Sequence, residues 1–261
     1  MIGLFLGDTN FPNLILNKIK KKKKDFFIID LSFKNKFKKE KNSHRISIGK
    51  FGAIIKIINY YKCKNVLFAG KINKPSLTTL RLDLKGAYYF PKIISASKKG
   101  DAAIFKVIIE ILKKEKIKVI PSNFFNPELT LKKGSYTKIK PNINDIATIK
   151  KGINFLNKTN NLDHVQAVAV KDNDILAYED IYGTKKMLSK LKKNSNAILI
   201  KLPKNKQDLR IDLPTIGLQT LIDCKKYGLR GLVLRSNKNI FLDKSKVIKF
   251  ANKNNIFIEI L

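Results

Sequence analysis

The chain is poor in the residues that carry most metal and redox chemistry. It has two Cys (Cys63 and Cys224), two His (His44 and His164) and no Trp. Two cysteines exclude a disulfide-built scaffold, and with two histidines they do not make a credible structural zinc site. Acid is scarce as well: 20 Asp and Glu stand against 54 Lys and Arg, giving a formal net charge of +34. No apolar run approaches the roughly 20 residues of a membrane span. The opening MIGLFLGDTNFP lacks the basic region of a secretory signal and reads as a first strand, so the expected location is cytoplasmic. No glycines fall in a GxGxxG arrangement, the dinucleotide fingerprint.

What is present is lysine and a globular share of apolar residues, 44%. Only five of the 54 basic residues are Arg: Arg45, Arg81, Arg210, Arg230 and Arg235. A dedicated reader of nucleic acid is expected to use more Arg, whose planar fork fits phosphate and base edges bidentately. Abundant Lys, Ile and Asn together are what an A/T-rich genome encodes. Compositional drift therefore accounts for the charge first, attraction to an anionic membrane surface second, and specific nucleic-acid binding last.

Strands and helices alternate along the chain. Ile2–Leu6, Phe26–Leu31, Asn65–Ala69 and Ile117–Ile120 read as strands. Phe11–Lys20, Phe51–Tyr61 and Asp101–Lys116 carry apolar residues at helical spacing, with Asp101 placed as an N-cap. Such alternation implies a parallel sheet covered on both faces. Breaker residues between Pro127 and Pro141 place a boundary near residue 140. Two α/β domains are expected, 1–140 and 141–261, the first a Rossmann-like parallel sheet. In the second half, KDND between two short strands reads as a hairpin turn.

Three segments stand out from plain scaffold. Gly7-Asp8-Thr9-Asn10-Phe11-Pro12 follows the first strand, where an open α/β sheet often approaches a phosphate; a simple tight turn is the alternative. Gly70-Lys71-Ile72-Asn73-Lys74-Pro75 ends another strand, and Lys71 and Lys74 suit a diphosphate; a solvated loop is the alternative. The third, KLPKNKQDLRIDLPTIG over 201–217, gathers Lys201, Lys204, Gln207, Arg210 and Asp212. Its cations suit phosphoryl oxygens, and one of its carboxylates, Asp212 or Asp208, suits Mg²⁺, which takes one or two carboxylates plus phosphates and waters. A connecting loop with a surface ion pair is the alternative. His44 in a polar loop, and His164 beside Asp163, do not make a triad, and both cysteines read as small buried hydrophobes.

In order along the chain, SIGKFGAIIK, FAGKINKP, LRLDLKG, SKKGDAAI, LDHVQAVAV, ILAYED, GTKKML, KLPKNKQDLRIDLPTIG and YGLRGLVL resemble the LpxI family of UDP-2,3-diacylglucosamine diphosphatases. The resemblance implies two α/β domains with the substrate in a cleft between them. It implies a Mg²⁺-dependent enzyme of lipid A biosynthesis. It further implies that water attacks the phosphorus nearer the sugar, giving UMP and 2,3-diacylglucosamine 1-phosphate. Asp212 of DLPTIG is then the catalytic residue and a Mg²⁺ ligand. Gly7, Asp8, Gly70, Lys71, Asp101, Gln166, Thr184, Lys201, Lys204, Gln207, Arg210 and Thr215 are expected to bind substrate. The implied partners are the lipid-linked nucleotide sugar, the inner-membrane surface as a peripheral site, and a second copy in a homodimer, with no specific nucleic acid. Acidic family positions are replaced at Tyr182, Lys185 and Ala102. A member that binds nucleotide sugar or lipid without hydrolysis is therefore one alternative, and a basic nucleic-acid-binding protein the other.

Overall fold

The structure, a computed structural model of the chain, describes residues 1–72, 80–159, 162, 165–204 and 207–261. Lys74 of the second candidate loop, His164 with its neighbour Asp163, and Asn205 and Lys206 of the third segment lie outside the described residues.

The chain forms two compact units, Met1–Pro127 with Arg210–Asp212, and Glu128–Leu209 with Leu213–Leu261. In the first, β1 (Ile2–Leu6) leads through α1 (Phe11–Lys21) to β2 (Phe26–Asp30) and β3 (Ser43–Arg45). Next come α2 (Phe51–Tyr60), β4 (Asn65–Ala69), α3 (Leu84–Ser97), α4 (Asp101–Lys114) and β5 (Lys118–Val119). The five strands lie in the order β3-β2-β1-β4-β5, all parallel. A parallel sheet buried on both faces needs strands apolar on both faces, and IGLFL of β1 is buried at every position. Phe5, Phe27, Ile29, Val66 and Phe68 share one core with Ile54 and Ile58 of α2 and Leu112 of α4. Leu4, Leu6, Ile28 and Leu67 alternate with them and are buried on the opposite face.

In the second unit, β6 (Gly134–Ser135) precedes α5 (Ile143–Lys158), β7 (Ala167–Lys171), β8 (Asp174–Tyr178), α6 (Gly183–Ser189) and β9 (Ile198–Lys201). The chain continues with β10 (Thr215–Ile216), α7 (Leu218–Lys226), β11 (Gly231–Leu234), β12 (Ile240–Phe241), α8 (Lys244–Lys253) and β13 (Phe257–Ile260). The main sheet runs β6-β13-β11-β9-β7-β8; its central trio β13, β11 and β9 is parallel, and the outer strands pair antiparallel. Val168, Val170, Ile198, Ile200 and Phe257 face Ile149 and Leu156 of α5. Ala167, Ala169, Leu199, Leu232 and Ile258 face Met187, Leu221 and Val247 of α6, α7 and α8. The period-2 alternation thus feeds two cores, one on each face.

Several expectations are corrected. The change of unit comes after Pro127, ahead of residue 140, because β6 pairs with β13 and Tyr136 N–H donates to Ile258 O at 2.9 Å. Asp101 is the first helical residue of α4; Gly100, at φ 104°, takes the N-cap position. His44 lies in β3, where its Nε2 is 3.1 Å from the Tyr61 hydroxyl. The KDND hairpin is present, with Asp172 and Asn173 both at positive φ as a primed two-residue turn requires.

Candidate functional site

At the carboxyl ends of β1 and β4 the two loops close on each other. Gly7 N–H donates to Ala69 O at 2.9 Å, and Asp8 and Lys71 exchange backbone bonds of 2.7 and 3.2 Å. Glycine is required for so close an approach: a Cβ on Gly7 would meet Lys71 O at 2.4 Å, and one on Gly70, at φ +86°, would meet Asp8 O at 2.3 Å. The Asp8 carboxylate accepts from Phe33 N–H at 3.2 Å and pairs with Lys36 Nζ at 3.3 Å. The structure therefore brings Gly7, Asp8, Gly70 and Lys71 together at the strand ends where β1 divides the sheet order, the usual ligand position of such sheets.

In the second unit the carboxyl end of β9 carries Lys201. Its Nζ donates to Thr184 Oγ1 at 2.5 Å; the Thr184 hydroxyl donates to Glu179 Oε1 at 2.6 Å. Glu179 Oε1 is itself 3.6 Å from Lys201 Nζ, and the two side chains are only 8% and 13% exposed. Gln166 N–H supplies the other carboxylate oxygen at 3.2 Å, and its carbonyl accepts from Leu202 N–H at 3.0 Å. The antiparallel pairing of β7 with β9 sets Ala167 opposite Lys201, which places Gln166 and Lys201 side by side. One acid, one hydroxyl and one ammonium are thus locked in a chain, and the ammonium is fixed in direction. Nearby, the bond from Lys190 and a second from Tyr182 N–H hold the Asp180 carboxyl below its usual range.

The segment that looked continuous in sequence is divided between the units. Lys201–Leu209 belongs to the second and Arg210–Asp212 to the first. Lys204 and Gln207 are buried and bonded to each other, with Gln207 N–H donating to Lys204 O at 3.2 Å and Lys204 N–H to Gln207 Oε1 at 3.1 Å. Arg210 O accepts from Ser122 N–H at 2.9 Å, and Ile211 packs on the first unit's core. Asp212 follows, half-buried. Then Pro214 O accepts from Ile240 N–H at 2.9 Å within the second unit. The backbone is therefore anchored on both sides of Asp212. Ser122 Oγ and Asn126 Oδ1 are buried and have no hydrogen-bond partner among the described residues. Both lie in the loop that holds Arg210.

The remaining expected residues are exposed. Asp101 is exposed at the start of α4. Thr215 is exposed on β10, and its hydroxyl donates to Leu213 O at 3.1 Å. Tyr182 and Lys185 are exposed at the start of α6. Sequence reasoning missed two acids. Glu179 is one; its place at the end of β8 in ILAYED was its only signal. Asp83 of LRLDLKG is the other: its carboxylate accepts from Gly52, Ala53 and Gly86 N–H at 3.0, 2.9 and 2.8 Å, capping α2 and α3 at once.

Residues 1–129 match the LpxI N-terminal domain model, and residues 132–259 match the LpxI C-terminal domain model. The chain belongs to the LpxI family. The two LpxI models meet between residues 129 and 132, next to the change of compact unit after Pro127. A curated relative, the UDP-2,3-diacylglucosamine pyrophosphatase LpxI of Caulobacter vibrioides, is 30% identical over 153 residues. Those residues are 59% of this chain and 55% of that one, so the match spans about half the relative's length.

Proposed function

We propose that the chain hydrolyses the diphosphate of UDP-2,3-diacylglucosamine, giving UMP and 2,3-diacylglucosamine 1-phosphate in lipid A biosynthesis. What supports this most is the pairing of the two LpxI matches with a Lys201 ammonium held in one direction by Thr184 and Glu179. A preorganised cation beside a transferring phosphoryl group needs no reorientation as charge develops, and such fixed electrostatics is usually the largest catalytic contribution. Lys204 and Arg210 are the further cations assigned to the diphosphate. Gly7, Asp8, Gly70 and Lys71 are assigned to the nucleotide sugar. The water's oxygen joins the phosphorus nearer the sugar, the bond from that phosphorus to the bridging oxygen breaks, and the bridging oxygen leaves with UMP.

A Mg²⁺ ion is part of this reading. Among the described residues no three His, Cys, Asp or Glu side chains come together, so an all-protein carboxylate cage does not fit. Magnesium commonly rests on one or two carboxylates plus substrate phosphates and waters. Asp212, with the unpartnered oxygens of Ser122 and Asn126 in the loop that holds Arg210, fits that donor set. When bound, the ion screens the diphosphate and polarises its oxygens. Asp212 is assigned to hold it, with orienting the attacking water as the other role.

Docking at an anionic membrane face is included in the proposal. It is supported by Leu84 and Tyr88, one turn apart on α3 and 93% and 73% exposed, with Lys85 between them and the formal charge of +34.

The test is UMP release from UDP-2,3-diacylglucosamine, with and without Mg²⁺, for the wild type and Asp212→Ala, with the reaction also run in ¹⁸O-water. Metal-dependent release, label in the sugar phosphate alone, and loss of turnover in a folded variant are expected. No release from folded wild type, with nucleotide sugar still bound, would refute hydrolysis and favour the non-hydrolytic reading that Tyr182, Lys185 and Ala102 motivate.

A further inference from the structure

The first unit contains a cavity of about 510 Å³ that none of the groups above uses. It lies where β3 runs into α2, at the carboxyl edge of the parallel sheet. Arg45, Lys50 and Arg81 line it, with Ile46, Leu80 and Ser47 between them. Its volume is within the range of small-molecule sites, and a lining that mixes apolar with polar side chains is their usual make-up.

The walls are fixed. Arg45 Nη1 donates to Asp30 O at 3.1 Å and to Ser32 O, and lies 3.6 Å from the fully buried carboxylate of Asp30. The loop after β3 is pressed onto the Leu80–Leu82 stretch: a Cβ on Gly49 would meet Arg81 O at 2.6 Å and Leu80 Cγ at 2.7 Å. Asp83 then ties that stretch to the first turn of α2 through Gly52 and Ala53 N–H. The two sides of the cavity therefore hold their spacing without a ligand.

The residue types indicate what it takes. Arg is rare in this chain, five of 54 basic residues, yet two of the five line this one cavity. Where lysine supplies charge almost everywhere else, two guanidinium forks at one place suit a group that takes paired hydrogen bonds, as phosphate does. We propose that this cavity is a binding site for a phosphate ester or diphosphate, with Arg45, Lys50 and Arg81 on the phosphoryl oxygens and Ile46 and Leu80 against the ester's apolar part. The site stands whether or not the chain hydrolyses its nucleotide sugar.

The experiment is calorimetric titration of the full chain with inorganic pyrophosphate and with UMP at about 150 mM salt, where long-range surface attraction is screened. The wild type is expected to bind saturably, and Lys201→Gln is titrated alongside so that the binding it retains is that of the cavity. Arg81→Gln should weaken binding about tenfold, the worth of one hydrogen bond between charged groups. Arg81 is exposed, so the variant is expected to keep the wild-type circular dichroism spectrum. Lys114→Gln is the control, because the last turn of α4 leads into β5 and so lies at the opposite edge of the sheet. Equal weakening in both variants, or no saturable binding by the wild type, would overturn the proposal. The source of the phosphate is read separately from KM for UDP-2,3-diacylglucosamine in Arg81→Gln. A raised KM assigns the cavity to the substrate's own phosphates, and an unchanged KM with lost pyrophosphate binding assigns it to a free phosphate ester.

Discussion

Removing Glu179 tests whether the Lys201 ammonium is held as described. The carboxylate is 8% exposed and satisfies three groups: Lys201 Nζ at 3.6 Å, the Thr184 hydroxyl at 2.6 Å and Gln166 N–H at 3.2 Å. Glu179→Ala leaves an ammonium that is 13% exposed with no counter-charge from this group. Stripping one partner from a buried pair costs about 3–5 kcal/mol, mostly the penalty of the charge left behind. Replacing both by apolar side chains, Glu179→Leu with Lys201→Met, removes both charges and should cost less than the sum of the single changes. A coupling energy of at least ~1.5 kcal/mol is expected. Because the chain has two units, a single melting curve would mix their transitions. Amide hydrogen exchange on β7 and β9, followed by mass spectrometry, reads the second unit alone. Exchange there should accelerate by roughly two to three and a half powers of ten in Glu179→Ala. A change under ~0.5 kcal/mol, or strict additivity in the double variant, would refute the ion pair and with it the fixed direction of Lys201.

Three further outcomes follow from the packing and the titration of single groups. Gly152→Ala should destabilise the second unit by about 1–3 kcal/mol, read by amide hydrogen exchange on β7 and β9, because the added Cβ would stand 2.3 Å from Ile200 Cδ1 and 2.8 Å from Val170 Cγ2. Asp83→Ala should cost about 1–2 kcal/mol, the value of a lost helix cap. Burial works to raise the Asp83 carboxyl, yet the bonds from Gly86, Gly52 and Ala53 N–H and the charge of Lys50 carry it below the usual range. With the folded value depressed, its stabilisation is present above the ordinary aspartate pKa of ~3.9. It is lost as pH falls through the lowered value, so wild type and Asp83→Ala should converge in stability only in that acid range. Burial, with Asp223 adding to it, pushes the Cys224 thiol up to about 12, and burial also raises Cys63. Neither should react with a thiol reagent at pH 8 until urea unfolds the chain, and rapid native labelling of either would contradict its burial.

The strands of the first sheet were legible because IGLFL, FFIID and NVLFA are short apolar runs between polar breaks, and a parallel sheet needs such runs. α3 was not. It carries Gly86 and Pro91 inside it and only three buried residues, so it has little apolar stripe, and its start depends on Asp83, which also caps α2. The site divided in the same way. The segment 201–217 could be picked out by its local crowding of cations and carboxylates, but Lys201 is one lysine among many. What singles it out, a glutamate and a threonine brought alongside by the register of β7 against β8 and β9, is a matter of pairing. Asp212 could be singled out in the sequence only as part of a motif. That it travels with the first unit rests on Ser122 N–H, far away in sequence.

That excursion has a consequence for the order of synthesis. The first unit recruits Arg210–Asp212 after the chain has already built β7, β8 and β9 of the second. A ribosome that has released Pro127 has delivered the first unit's sheet but not Ile211, which packs on its core, nor the carbonyl that Ser122 binds. The first unit is therefore finished by a piece of polypeptide that emerges late. A gene cut after Pro127 encodes its sheet without its final contact, and no single break in the chain separates the two units cleanly.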